Sequence, residues 1–431
     1  MSREMKDSGI NAIGKTPASW KITKIKNIAS LQTGDSIRAS DKNKYTNSNK
    51  NAYPYIATKD ISLSSNMIDY NNGIFIPADN NTFKIAKENS ILLCIEGGSA
   101  GKKIGFTNQS VSFVNKLCNL YSNTMNNKFL FYYFLSPAFT NQFNMNITGL
   151  IGGVSLTKLK GISISLPLQN EQQRIVNYLD KKTSEINSIV EKTKESIEEL
   201  KAYKQSLITE TVTKGLNPDA PMKDSGIEWI DKIPENWRIG KLKYFSSVND
   251  ESLSNKTSLD YKFKYIDIGS ISLEKGIVNY EKTNFKDAPS RARRIVKDND
   301  IIISTVRTYL KAIAVIRDSK DMIVSTGFAV IRPKRIKSNF LSYYLKSDIF
   351  TERVSQLSEG IAYPSIASEK LINIKIIVPD EKSQLEIGEF LDIRTQQIDT
   401  LINKKHQMIK ELESYKQSLI YEYVTGKKEV E

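Results

Sequence analysis

The chain has 431 residues, enough for two ordinary domains with connecting elements, and its 39% hydrophobic and 26% charged composition fits a soluble globular protein. No apolar stretch reaches the roughly 18 residues of a membrane span, and two cysteines, Cys94 and Cys118, cannot build a disulfide framework or a four-thiolate zinc site. The formal net charge of +14 favours a polyanionic partner, while a single histidine, His406, leaves almost nothing for His–His metal sites or Ser–His chemistry. A cytoplasmic protein with no membrane association is expected.

In chain order, the first marked segment is MKDSGI (Met5–Ile10), followed by Pro17 and WKITKIK (Trp20–Lys26). The stretch from about 27 to 148 is β-rich. Within it, EGGSAGKKIG (Glu96–Gly105) has the look of a phosphate loop, but Glu96 stands where the first glycine belongs and Lys103 where the Ser or Thr belongs. Nucleotide binding there is rejected. Two readings remain for this loop and its Ser99, Lys102 and Lys103: close approach to DNA, with lysines on phosphates, or an ordinary hairpin turn. An aromatic helical patch, FLFYYFL (Phe129–Leu135), comes next, then GLIGGVS (Gly149–Ser155), whose Gly152 marks a plausible contact loop. ISISLP (Ile162–Pro167) alternates with period two, as a half-buried strand does.

From Leu179 the positions Leu179, Thr183, Ile186, Val190, Thr193, Ile197, Leu200, Lys204 and Leu207 step by alternating four and three residues, a coiled-coil seam flanked by Glu and Lys. The spacing predicts a helix over 170–211, about 63 Å long, ended by Gly215 and Pro218. Such a stripe either packs on its own domain or pairs with a second helix, and a partner helix is expected because a lone seam leaves apolar surface exposed.

That partner lies in the second half, which repeats the first. MKDSGI recurs at Met222–Ile227, and Pro17 and Trp20 recur as Pro234 and Trp237 at an offset of 217. A divergent stretch from about 244 to 360 follows. In it RARR (Arg291, Arg293, Arg294) reads as a phosphate clamp or a solvated charge run, and STVRTYLK places Arg307 and Lys311 beside a strand-like IIIS. Arginine suits bidentate contact with guanine, so Arg307 is the first candidate for base reading. FLSYYLK (Phe340–Lys346) matches the aromatic patch, and GIAYPS (Gly360–Ser365) supplies Tyr363, which either stacks or packs. INIKIIVP (Ile372–Pro379) is a strand. From Pro379 the offset becomes 212: LDIRTQQI (Leu391–Ile398) faces LDKKTSEI (Leu179–Ile186), YKQSLI occurs at Tyr203–Ile208 and Tyr415–Ile420, and the seam repeats from Leu391 to Leu419.

SGIEWIDKIPENW (Ser225–Trp237) with its weaker copy SGINAIGKTPASW (Ser8–Trp20), LPLQNEQQRIVNYLD (Leu166–Asp180), and the tails YKQSLITETVTKG (Tyr203–Gly215) and YKQSLIYEYVTGK (Tyr415–Lys427) resemble, in this order, the specificity subunits of type I restriction–modification enzymes. The resemblance covers nearly the whole chain. It departs where Glu171-Gln172 becomes Ser383-Gln384, and where the first copy lacks a tryptophan equivalent to Trp229. It implies two target-recognition domains, each reading one half of a split site in double-stranded DNA. It also implies two modification subunits that methylate adenine and restriction subunits that translocate and cut. No cofactor is implied for this chain; S-adenosylmethionine, ATP and magnesium are expected on the partners.

The resulting expectation is an α/β chain: two β-rich mixed recognition domains (1–166 and 215–378) related by pseudo-two-fold symmetry. Two long antiparallel coiled-coil helices (167–214 and 379–431) join them. The rival is a stand-alone DNA nuclease or methyltransferase with duplicated binding domains. No Asn-Pro-Pro-Tyr-like tetrapeptide or strand–GxGxxG–helix segment supports it, and PDEK (Pro379–Lys382), half of a nuclease-like motif, aligns with PLQN (Pro167–Asn170) as the start of a helix.

Overall fold

The computed structural model describes residues 3–46, 51–272, 275–360 and 363–430. The chain divides into two compact units, Met1–Lys194 with His406–Glu431, and Glu195–Lys405. The cut falls inside the two long helices, Gln169–Lys214 and Glu381–Val424, so each unit contains a head and one half of each helix. At 46 residues the first helix is about 69 Å long, slightly more than the seam alone suggests.

The heads share one topology although their sequences diverge. The first has an antiparallel sheet ordered Ser30–Thr33, Leu117–Tyr121, Ile91–Cys94, Ile104–Phe106, and a second ordered Phe75–Pro77, Ala52–Ile56, Val111–Phe113, Ile85–Ala86. The second head repeats both: Ser246–Val248, Phe328–Pro333, Ile301–Ser304, Ile313–Val315, then Glu281–Asn284, Lys262–Ile266, Met322–Ser325, Ala292–Ile295. Each second sheet contains one parallel pair, Ala52–Ile56 with Val111–Phe113 and Lys262–Ile266 with Met322–Ser325. The expected last strands form as Ser163–Leu166 and Lys375–Val378, each closing a two-stranded ribbon with the segment after the frame tryptophan. The aromatic patches are helices, Asn127–Leu135 and Ser338–Lys346.

Matching residues in the frames make matching contacts. Gln172 accepts from the Asn126 amide (3.0 Å) and donates to the Pro167 carbonyl (3.0 Å); Gln384 does the same with Lys337 and Pro379 (both 2.8 Å). The Tyr132 hydroxyl donates to Asp180 (2.6 Å) beside Thr183, and Tyr343 to Asp392 (2.8 Å) beside Thr395. Burial, first, and the neighbouring carboxylate push both hydroxyls well above the usual tyrosine range, so they stay protonated donors. Glycine closes each helix: Gly215 (φ +81°) and Gly426 (φ +73°) lie where a Cβ would come 3.1 Å from the rings of Trp237 and Trp20.

The seam packs in both ways considered. In the first unit Leu179, Ile186 and Val190 join Leu419, Ile420 and Val424 in the head's own core. The helix halves run antiparallel there, with Tyr178 against Tyr423 (rings 4.5 Å apart) and Lys416 donating to Asn187 (3.0 Å). In the second unit the polar seam position is an ion pair, Lys204 to Asp399 at 2.7 Å. Lys204 and Lys416 are repeat equivalents, so one seam lysine meets a charge and the other a neutral amide.

Candidate nucleic-acid interface

In the first unit the glycine-rich segment links strands Ile91–Cys94 and Ile104–Phe106 by a tight double turn. The amides of Lys102 and Lys103 both donate to the Ser99 carbonyl (3.1 and 3.2 Å), and Gly101 to Cys94 (2.8 Å). Gly101 is buried at φ +71°, with Phe143 ring atoms 2.6 Å from where a Cβ would stand. This turn is clamped to the second glycine-rich loop: the Gly97 amide donates to the Gly152 carbonyl (2.8 Å), Val154 to Ile95 (3.0 Å), and Thr148 and Gly153 exchange bonds of 2.9 and 3.0 Å. Ser99, Lys102 and Gly152, remote in sequence, are thereby brought together. Lys102 is exposed, while the Lys103 ammonium is taken by the Thr58 carbonyl (2.9 Å).

The second unit builds the same clamp from unrelated residues. After strand Ile301–Ser304, Thr305 donates to Gly327 (2.9 Å), Ile366 to Thr305 (2.8 Å), and Glu359 and Ser365 exchange two bonds of 2.8 Å. Val306 bridges to Ser365 as Glu96 does to Gly153. Arg307 is exposed in the left-handed region (φ +50°), its guanidinium 5.0 Å from the Tyr363 ring centre. Tyr363 is 66% exposed, so it stacks and does not fill the core. Ile361 and Ala362 of the same loop lie outside the described residues. Lys311, also left-handed (φ +47°), is ion-paired with Asp348 at 3.1 Å.

The RARR run separates along its strand. Arg291 is exposed, and its carbonyl holds the Thr326 amide (2.8 Å), next to the Gly327 that holds Thr305; Arg291 and the Arg307 loop therefore converge on one turn. Arg293 lies 4.5 Å over Phe285, and Arg294 is half-buried with an Nε that has no hydrogen-bond partner among the described residues.

Several exposed side chains at these clamps carried no sequence signal. Leu150 (109% exposed) and Ile151 form the tip of the Gly149–Gly153 loop, and Tyr309 and Leu310 follow Arg307. Lys116 is exposed where its carbonyl receives the Ile95 amide (3.0 Å). Only the clamp, formed between segments over 50 residues apart, singles them out.

Catalytic chemistry finds little purchase. Burial pushes the Cys94 thiol up and the Cys118 thiol up to about 12, so neither is a ready nucleophile. Among the described residues no group of His, Cys, Asp and Glu is arranged to hold a metal. Asp380 of PDEK accepts from the Ser383 amide (3.0 Å) and hydroxyl (2.7 Å), and these bonds hold its carboxyl below the usual range: it fastens the start of the second long helix. Among the described residues no helix is long and apolar enough to cross a membrane.

A family model described as the type I restriction modification DNA specificity domain matches residues 17–199 and again 234–411. The chain is 25% identical over 394 residues to the type I restriction enzyme MjaVIII specificity subunit of Methanocaldococcus jannaschii, covering 87% of this chain and 86% of that protein. It is 22% identical to the EcoDI specificity subunit of Escherichia coli (96% and 89% covered). Among solved structures, a chain from a study of complex assembly and conformational transition of the type I R-M system superposes with a TM-score of 0.73 at 16% identity (95% and 99% covered). The HsdS subunit of Thermoanaerobacter tengcongensis gives 0.53 at 17% (95% and 98%). Matched twice along its length, in the two halves that repeat each other, the chain belongs to the type I restriction modification DNA specificity family.

Proposed function

We propose that the chain reads a two-part asymmetric DNA target, one half-site per head, and catalyses nothing itself. The carrying observation is the clamp: each head presents the same pair of pinned loops, with Lys102 and Leu150 in one and Arg307 and Tyr363 in the other. A constant frame with variable loops suits two readers of different sequence, because base edges are distinguished by the side chains offered and phosphates by charge alone. Residues 1–166 and 215–378 are the proposed recognition domains, and 167–214 and 379–431 their spacers.

Within that reading, Arg307 contacts a base edge with Tyr363 holding its plane. Lys102 and Arg291 bind phosphates, and the backbones at Ser99 and Gly152 face the groove. Lys103, Lys311, Arg293 and Arg294 shape the loops and add positive potential. Adenine methylation, ATP-driven translocation and cleavage fall to two modification subunits and to restriction subunits in the cytoplasm, which bring S-adenosylmethionine, ATP and magnesium. The test is reconstitution: the purified chain alone should neither methylate nor cut DNA, and adding the cognate modification subunit should produce site-specific adenine methylation. Catalysis by the chain alone, with contamination excluded, overturns this reading in favour of a stand-alone enzyme.

A further inference from the structure

The repeat provides an internal control for one cavity of the second unit. In the first unit the aromatic helix points Phe131 at Phe106 (rings 5.4 Å apart) and ends on Leu135. In the equivalent helix and strand of the second unit, Ser342 stands for Phe131, Val315 for Phe106 and Lys346 for Leu135. Losing two phenyl rings opens space beneath the head, where a cavity of about 980 Å³ lies between the head and the helix halves. The corresponding cleft of the first unit, lined by Phe134 and Leu135, is about 660 Å³.

The larger cavity is cationic. Lys201, Lys204, Lys264, Lys275, Arg317 and Lys346 line it with Asp318, Asp392 and Asp399; Lys201 is paired with Glu198 (3.2 Å), which leaves five cationic side chains to three carboxylates, an excess of two. Two of those carboxylates are already used, Asp399 by Lys204 (2.7 Å) and Asp318 by Lys264 (3.1 Å). Asp392 accepts from Tyr343 and Asn339. Among the described residues the Lys346 ammonium has no ion-pair partner; burial, then Lys204 and Arg317, hold it below the ordinary lysine value. The carbonyl of Lys346 at the helix end is taken by Gln205 (2.9 Å), so the helix terminus offers only part of the compensation a buried cation needs. Ile277, Ala314 and Met322 give the cavity an apolar floor, and Tyr280 and Tyr343 line its wall.

We infer that this cavity of the second unit binds a phosphate group carried on a nucleotide-sized molecule, with Lys346 and Arg317 on the phosphate and the tyrosine-lined apolar floor under the organic part. Its volume falls in the range of small-molecule sites, and a dianion matches the charge excess. The first unit, with Leu135 in place of the lysine, lacks the site.

The test is calorimetric titration of the full chain with AMP, inorganic phosphate and a duplex of arbitrary sequence. It is repeated on Lys346→Leu and Ser342→Phe, which copy the first unit's own residues. AMP should bind, and both variants should weaken it at least tenfold at unchanged thermal stability or better. If instead only duplex affinity falls in Lys346→Leu, with a shallower salt dependence, the phosphate comes from the DNA backbone and the nucleotide-sized ligand is overturned. Unchanged titration of all three probes by Lys346→Leu overturns the inference. A chain that binds AMP but no DNA would sink the DNA reading and leave this one intact.

Discussion

Replacing Arg307 by glycine should separate reading from folding, because discrimination should fall while stability barely moves. Arg307 holds φ +50° and ψ 50°, a conformation that costs a side chain about 1–2 kcal/mol and glycine nothing. Against this gain, glycine loses about 0.5–1 kcal/mol through the freedom of the unfolded chain, and the exposed stack on Tyr363 contributes about 0.5–1 kcal/mol. The balance leaves stability within about 1 kcal/mol of the parent, a midpoint change of at most a few degrees for a unit of this size. Discrimination at one base pair should instead fall by about 1–3 kcal/mol, roughly 5- to 150-fold, if the guanidinium makes a bidentate contact. The assay pairs urea unfolding with competition binding against single-base variants of the target. Arg307→Lys should keep affinity for arbitrary DNA but lose the discrimination, because an ammonium lacks the fork. A glycine variant that loses stability and weakens binding equally on every sequence would refute the reasoning and make Arg307 a structural residue.

Lys102→Ala should leave stability unchanged and lower the salt slope of DNA binding by about one phosphate contact. Lys103→Ala should cost about 1 kcal/mol of stability through the freed Thr58 carbonyl, with little change in slope; the reverse pattern would exchange their roles. Asn187→Asp should give Lys416 the partner that Lys204 has in Asp399, adding about 0.5–1 kcal/mol and raising the midpoint by about 1–4 °C. Burial holds Lys416 below its ordinary value, and a carboxylate at 187 should lift it. The new aspartate's folded pKa should be depressed, so the gain should be present above the carboxylate range and lost as pH falls through it; a gain that persists in acid would point to packing instead.

The frames were legible because both copies must satisfy the same groups. Gln172 and Gln384 each bridge a helix start to the preceding strand, and Gly215 and Gly426 each make room for a tryptophan, so the residues recur with the contacts. The seam was legible down to its polar positions, but the difference between Asn187 and Asp399 becomes meaningful only once each faces a lysine. The heads were far less legible. Their parallel pairs join strands more than 50 residues apart, which periodicity cannot register. Side-chain capture also lies beyond sequence reading: Lys103 and Lys311 look free until Thr58 and Asp348 fold against them. The RARR run was divided by the start of strand Ala292–Ile295 and the register shift within it, which left one arginine in solvent, one on Phe285 and one half-buried.

The central claim, two independent readers on one frame, is tested most directly by exchanging one head and mapping the methylated adenines. Replacing about residues 21–165 with the matching region of a relative keeps Trp20 and Pro167, and with them the contacts to Gly426 and Gln172 that hold head to helix. Expressed with the cognate modification subunit, the hybrid should methylate sites in which one half-sequence is new and the other unchanged. If both half-sequences change together, or neither does, the heads do not read DNA independently and the account is wrong.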